Sequence, residues 1–341
     1  MFVQSNYALY LIKRKKDLIR RLNVGVKDLD WMFECQRNFA SNFYNVETMT
    51  DDEREQLTVK LSAALHNEMS DLLSGLNFET HRPSKKNISR ANILYEAVDV
   101  WRYLQAILNV WNVDADDFRS AFDDKDKFLT TRHNLEKRVW AGEPVVLVDV
   151  DDVLSDFRKN FTTWIEVEKG VHVDENSKEY YATRELVEAG YTPDELFMEY
   201  IEKRNIRNLD PITNTIDTVN KLYDQGFWVH LITARPGQNL MCKYDTFQWI
   251  EKVDVKCNRV SFDPEKFLWL SRTEYYKQNK VVCAIDDSQK HATEYAKHGI
   301  KCFSPRTSYN EDLINVDGVT YYDNGDDLLE KITCLNNSRI A

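Results

Sequence analysis

A chain of 341 residues with 43% hydrophobic content is long enough for two domains and apolar enough for ordinary globular cores. Its net charge of −11 argues against a nucleic-acid binder held by a general basic surface, while leaving room for a local phosphate pocket. No apolar run reaches the roughly 18–20 residues that a membrane helix needs, so no membrane contact is expected.

At the N-terminus, the short apolar stretch Tyr7 to Ile12 precedes Lys13-Arg14-Lys15-Lys16. A secretory signal places its charges before the apolar stretch, so this segment reads as a helix with a solvated basic face. The six cysteines are Cys35, Cys242, Cys257, Cys283, Cys302 and Cys334. They form no CxxC pair and keep no His cluster, so neither a zinc site nor a disulfide framework is expected. A reducing cytoplasm is the expected setting.

Residues 1–138 read almost entirely as helix. Apolar residues recur at three and four, first at Leu61, Leu65, Met69, Leu72 and Leu73, then at Ile93, Leu94, Val98, Trp101, Leu104, Ile107 and Leu108. The segment His81 to Asn92, with Pro83 and several polar residues, reads as a loop between two helices. Asn112-Val113-Asp114 closes one helix, and Asp114 can cap the next. Near residue 140 the pattern changes, with Glu143-Pro144 as the expected junction. Runs rich in β-branched and aromatic residues follow at Val145 to Val148, Trp228 to Ile232, Arg259 to Phe262, Val281 to Ile285 and Val319 to Tyr322. Helical stretches separate them, which predicts a doubly wound parallel sheet with its ligand beyond the carboxyl ends of the strands.

Those ends carry the chemistry. Val145-Val146-Leu147-Val148 runs into Asp149-Val150-Asp151-Asp152-Val153-Leu154. A carboxylate at a strand tip can accept a phosphoryl group, and a second acid two residues on can serve the leaving oxygen and then the attacking water. Thr233 ends the second run and can hold a phosphoryl oxygen. Lys266 follows the third and can balance the nucleophile, although Lys277 lies nearer in sequence to the next motif. Asp286-Asp287 ends the fourth, and paired carboxylates there suit Mg²⁺.

Residues 139–341 resemble the haloacid-dehalogenase (HAD) phosphatase superfamily, and Asp149-Val150-Asp151-Asp152-Val153-Leu154-Ser155-Asp156-Phe157 is especially similar to the first motif of its 5′-(deoxy)nucleotidase branch. The resemblance implies Asp149 as nucleophile, Asp151 as acid/base, and Thr233 and Lys266 as phosphate and charge stabilisers. It implies Mg²⁺ held by the Asp149 carboxylate, the Asp151 backbone carbonyl and Asp286, with Asp287 in support. It also implies a small helical cap over about residues 158–210. Asp152 stands where many relatives have Gly. Arg235 reads either as a contact to substrate phosphate or as a solvated loop residue.

In the helical half, Glu68/Asp71 and Glu96/Asp99 each place two carboxylates on one helix face. If the two helices pack antiparallel, four carboxylates converge, an arrangement that calls for a cation such as Mg²⁺ to clamp a triphosphate. Residues 28–138 resemble the all-α nucleoside triphosphate pyrophosphatases, the class of dimeric dUTPases, phage dCTPases and MazG proteins. The family's downstream pattern YxxKxxxNxxR meets Phe122, Lys125, Leu129 and Arg132 here. The resemblance implies Lys125 and Arg132 as phosphate ligands and Gln36 as a base contact. It also implies a homodimer or larger even oligomer formed through residues 1–138.

The expected whole is an all-α helical bundle followed by a doubly wound α/β domain, a two-headed enzyme of nucleotide metabolism for which phage-type nucleotide pools are a natural setting. The first head would cut a (d)NTP to (d)NMP and pyrophosphate, and the second would hydrolyse (d)NMP to nucleoside and phosphate. The alternative is a single phosphatase acting on another phosphomonoester, such as a nucleic-acid 3′-phosphate, with a helical docking module. The acid pairs on consecutive helices favour the first reading, and the acidic chain disfavours a polynucleotide substrate.

Overall fold

The structure is a computed structural model describing residues 28–76, 88–136, 138–174, 177–180 and 183–340. The N-terminal basic segment and most of the expected 81–92 loop lie outside these residues. The chain divides into two compact units, Met1–Asp123 and Asp124–Ala341.

The first unit is helical among its described residues. Helix α1 (Leu29–Ala40) is capped by Asp28, whose carboxylate accepts the Trp31 N–H. Helix α2 (Asp51–Ser74) opens with a reciprocal capping box between Thr50 and Glu53. Helix α3 (Arg90–Val110) starts at its Ser89 cap, so Arg90 to Asn92 are helical rather than part of the expected loop. Helices α2 and α3 pack along each other, yet no residue of α2 is fully buried. Helix α4 (Ala115–Leu135) follows a turn in which Asn112 takes φ 54° and Asp114 accepts the N–H groups of Asp116 and Asp117.

The unit boundary falls inside α4, upstream of the expected division at 138/139. The reason is packing within the second unit. Phe128 stacks on Tyr244 at 4.5 Å and meets Phe247 edge-on at 5.1 Å, while Thr131 donates to Glu251.

The second unit holds a six-stranded parallel sheet of order β3-β2-β1-β4-β5-β6. Its strands are β1 (Val145–Val148), β2 (Trp228–Thr233), β3 (Arg259–Phe262), β4 (Val281–Ile285), β5 (Lys301–Pro305) and β6 (Val319–Tyr322). β1, β2 and β4 are buried along their whole length, as expected for strands covered on both faces. Strand β5 was missed in the sequence, because Lys301, Ser304 and Pro305 break its apolar run. The strand order reverses between β1 and β4, which makes their carboxyl ends the topological switch point. The 157–202 insert supplies helices α5 (Phe157–Lys169), α6 (Thr183–Glu188) and α7 (Pro193–Glu202).

Candidate active site

Register brings the acids of the second unit together. Val148 pairs with Ile285, so the next residues, Asp149 and Asp286, leave adjacent strands side by side. The Asp149 N–H donates to the Ile285 carbonyl, and the Asp286 N–H to that of Phe303, which carries the sheet bonding one step past the strand ends. Lys266 Nζ lies 2.7 Å from an Asp149 oxygen and 2.8 Å from an Asp286 oxygen, with its side chain almost wholly buried. Lys277 is exposed and pairs with Glu274 instead, so the geometry favours Lys266 as the cation of this site.

Asp149, Asp286 and Asp287 are all buried, and each offers an oxygen within 4.8 Å of the others. Burial pushes the Asp149 carboxyl up to about 6 against the pull of Lys266, and it raises Asp286 and Asp287 as well. Burial alone would lower the Lys266 ammonium, but Asp149 and Asp286 hold it raised. One lysine against three buried carboxylates leaves excess negative charge in a site built of hard oxygen donors. That donor set fits Mg²⁺.

Asp151 faces a different partner. Arg235 Nε and Nη2 reach its two oxygens at 2.9 and 2.5 Å, and Ser155 Oγ donates to it at 3.2 Å. The Arg235 side chain is buried and also donates to Thr246, so it is not a solvated loop residue. Thr233 lies at the buried end of β2, where its hydroxyl accepts the Arg235 N–H.

Three contributors were given no role from sequence. Asp152 has φ 54°, a left-handed conformation that Asp tolerates better than most residues. Its carboxylate accepts the Arg158 N–H, and burial pushes it up to about 7. Tyr309 donates to Asp287 at 2.8 Å and lies within 3.3 Å of Asp152. His291 lines the same cavity, where burial and then Lys266 lower it to about 4. A Tyr four residues past a strand and a His inside a helix carry no motif that sequence could flag. The cavity above Asp149 measures about 390 Å³ and takes Phe157, Tyr180 and Phe197 from the insert as lining.

In the helical unit, Glu68 on α2 and Glu96 and Asp99 on α3 bring carboxylate oxygens within 4.8 Å of one another. Asp71, one methylene shorter and exposed near the end of α2, is not among the three but lies close enough to raise Glu68. Glu68 is raised, first by desolvation and then by Asp99, Asp71 and Glu96. Three clustered carboxylates with oxygen ligands again fit Mg²⁺. A cavity of about 870 Å³ is lined by Glu68 and Asp99 together with Gln36, Tyr44 and Arg102. Gln36 is buried and accepts from Arg102 Nε at 3.2 Å.

Lys125 Nζ donates to Tyr244 Oη at 2.5 Å, and Arg132 pairs with Glu136 at 2.9 Å. Phe122 and Leu129 of the same spacing are exposed.

No family model and no curated protein matches the chain. Among solved structures, a HAD family hydrolase from Deinococcus radiodurans with bound phosphate and sodium is similar at 15% identity and a TM-score of 0.41, over 58% of this chain and 98% of that one. A predicted phosphoglycolate phosphatase from Haemophilus somnus is similar at 14% identity and a TM-score of 0.40, over 56% and 99%. A HAD-superfamily hydrolase from Ehrlichia chaffeensis is similar at 13% identity and a TM-score of 0.34, over 58% and 100%.

Proposed function

We propose that the sheet-bearing unit is a Mg²⁺-dependent phosphatase of HAD type acting on nucleoside monophosphates, and that the helical unit splits nucleoside triphosphates into monophosphate and pyrophosphate. The observation that carries the first half is the meeting of Asp149, Lys266 and Asp286 at the switch point of the sheet. An Asp149 oxygen attacks phosphorus and the ester P–O bond breaks, with Asp151 giving its proton to the leaving alkoxide. Water then attacks the aspartyl phosphate, Asp151 takes its proton, and phosphate leaves with Asp149 restored. For Asp151 to carry the proton, one prong of the Arg235 fork opens, and Arg235 takes a phosphoryl oxygen in exchange. Asp149, Asp286 and Asp287 would hold Mg²⁺, which would supply charge neutralisation at the phosphoryl group. Phe157, Tyr180 and Phe197 over the cavity support a nucleoside rather than a small aliphatic leaving group.

Support for the helical half comes from Glu68, Glu96 and Asp99 beside a cavity large enough for a nucleotide. Mg²⁺ there would hold the triphosphate, with Gln36 and Arg102 also lining the cavity. The exposed aromatic residues Trp31, Phe39, Phe43 and Trp111 support a homodimer or larger even oligomer through this unit. Product analysis with panels of dNTPs and dNMPs plus Mg²⁺ tests the reading. Pyrophosphate from the triphosphates and phosphate from the monophosphates are expected, and absence of either removes that head.

A further inference from the structure

The acidic chain carries one groove of opposite character, along the open edge of the sheet. β3 is an edge strand, and beside it lie two adjoining cavities of about 260 and about 700 Å³ that share Arg132, Glu136, Arg259 and Trp269. Lys243 lines the smaller and Arg272 the larger. The two acids lining the groove are already engaged, Glu136 with Arg132 and Glu274 with Lys277. Lys243, Arg259 and Arg272 have no carboxylate partner among the described residues.

The buried groups of the groove are also short of acceptors. Trp228 is 3% exposed and lines the larger cavity, and its indole N–H has no hydrogen-bond partner. His230 sits fully buried between Ser261, 2.9 Å from Nε2, and Tyr275, 2.6 Å from Nδ1. Burial lowers the His230 imidazole far below its ordinary range, so it is neutral and has one N–H. Two hydrogen bonds among three donors leave one hydroxyl proton over. In one tautomer it is that of Ser261, at the smaller cavity, and in the other that of Tyr275, whose hydroxyl also has Thr273 as a partner. Spare N–H, O–H and cationic groups with every lining acid paired call for an anion.

Aromatic faces narrow its class. Arg259 lies over the Trp269 ring at 5.0 Å, and Trp140 and Tyr275 meet edge-on at 5.7 Å in the larger cavity. Guanidinium groups beside indoles suit phosphates joined to a flat heterocycle. A cavity of about 700 Å³ suits one small molecule. The net charge of −11 repels a long polyanion.

We propose that the β3-edge groove is a second, non-catalytic binding site for a nucleoside polyphosphate, with its phosphates on Arg259, Arg272 and Lys243 and its base against Trp269 and Trp140. The site shares no residue with either proposed catalytic centre except Arg132, which the structure pairs with Glu136. Its occupation does not depend on what those centres hydrolyse.

The test uses the full chain with ATP in metal-free buffer, read by calorimetry and by quenching of tryptophan fluorescence. Wild type and the Asp149→Asn/Glu96→Gln variant are expected to bind alike. Arg259→Glu with Arg272→Glu, both exposed positions, is expected to weaken binding by about tenfold or more while leaving monophosphate hydrolysis unchanged. Trp269→Leu is expected to weaken ATP more than inorganic pyrophosphate. Equal ATP affinity in the arginine variant overturns the proposal, as does loss of binding in the Asp149/Glu96 variant. A ten-residue oligothymidylate that binds far more tightly than ATP would reassign the groove to single-stranded nucleic acid.

Discussion

Arg235 grips Asp151 from inside the protein, with Nε and Nη2 on the two carboxylate oxygens at 2.9 and 2.5 Å. The guanidinium is itself fixed by Thr246 Oγ1, so the fork sets where the Asp151 side chain rests before substrate arrives. Arg235→Lys keeps the charge and loses the two-pronged geometry. Phosphatase kcat is expected to drop by about 10- to 100-fold, part of what a positioned acid/base supplies, with a smaller change in KM. Steady-state kinetics on a monophosphate checks this. An unchanged kcat would mean that the fork does not position the acid.

Asp149→Asn keeps the shape of the proposed nucleophile and removes its charge, so phosphate release is expected to collapse. Lys266→Met removes the cation that pairs with both Asp149 and Asp286, leaving buried carboxylates uncompensated. That variant is expected to lose both activity and thermal stability, whereas Lys277→Met, at an exposed pair, is expected to lose neither. Phosphate release and melting temperature of the three variants give the comparison. Full activity in Lys266→Met would return the role to another residue.

The acid cluster makes stability depend on pH and metal together. Asp149 at about 6 and Asp152 at about 7 hold protons more tightly in the fold than at their ordinary value of 3.8. Their contribution to stability is therefore complete below that ordinary value and is lost as pH rises through about 6 to 7. Mg²⁺ binds the ionised carboxylates, so its stabilising effect grows across the same window. The rise in melting temperature on adding Mg²⁺ is expected to be larger at pH 8 than at pH 5. Asp152→Asn is expected to flatten the metal-free decline. An equal Mg²⁺ effect at both pH values counts against the cluster as the metal site.

What could be read from the sequence was what lies at strand tips. A buried parallel strand is a short apolar run, and the first polar residue after it has to face the crevice, which put Asp149, Thr233 and Asp286 on view. Side chains that arrive sideways were not legible. Arg235 follows Thr233 by two residues, but its turn inward toward Asp151 depends on Thr246 in a helix 11 residues on. Tyr309 reaches Asp287 from a loop beyond β5, a strand whose own pattern is broken. The spacing of Phe122, Lys125, Leu129 and Arg132 suggested one functional face. Phe128, between those positions, fixes that stretch of α4 on Tyr244 and Phe247, so packing rather than motif decides where Lys125 goes.

The helical unit leaves large apolar groups in water, with Phe43 at 70% and Trp111 at 45% exposure, and no fully buried residue on α2. Faces of this kind are covered in solution by another copy if the proposed assembly holds. Light scattering of the full chain is expected to give a dimer or larger even oligomer at micromolar concentration. A monomer there removes the proposal.

The two proposed heads are separable by mutation because their carboxylate clusters share no residue: Glu68, Glu96 and Asp99 in one, Asp149, Asp286 and Asp287 in the other. Substitutions at sites without shared partners act independently in most proteins. Glu96→Gln with Asp99→Asn removes two of three ligands at the helical cluster, so pyrophosphate release from a triphosphate is expected to vanish rather than weaken gradually. Phosphate release from a monophosphate is expected to continue at the wild-type rate. Asp149→Asn is expected to do the reverse, so that triphosphate proceeds only to monophosphate, which accumulates. Lys125→Met discriminates further. Its ammonium is held by Tyr244 Oη, so this variant is expected to keep pyrophosphate release. A chromatographic time course of triphosphate, monophosphate and nucleoside for the three variants reads all of these outcomes. Pyrophosphate release at the wild-type rate in the Glu96/Asp99 variant would leave the helical unit without catalysis and make it a docking module for the phosphatase.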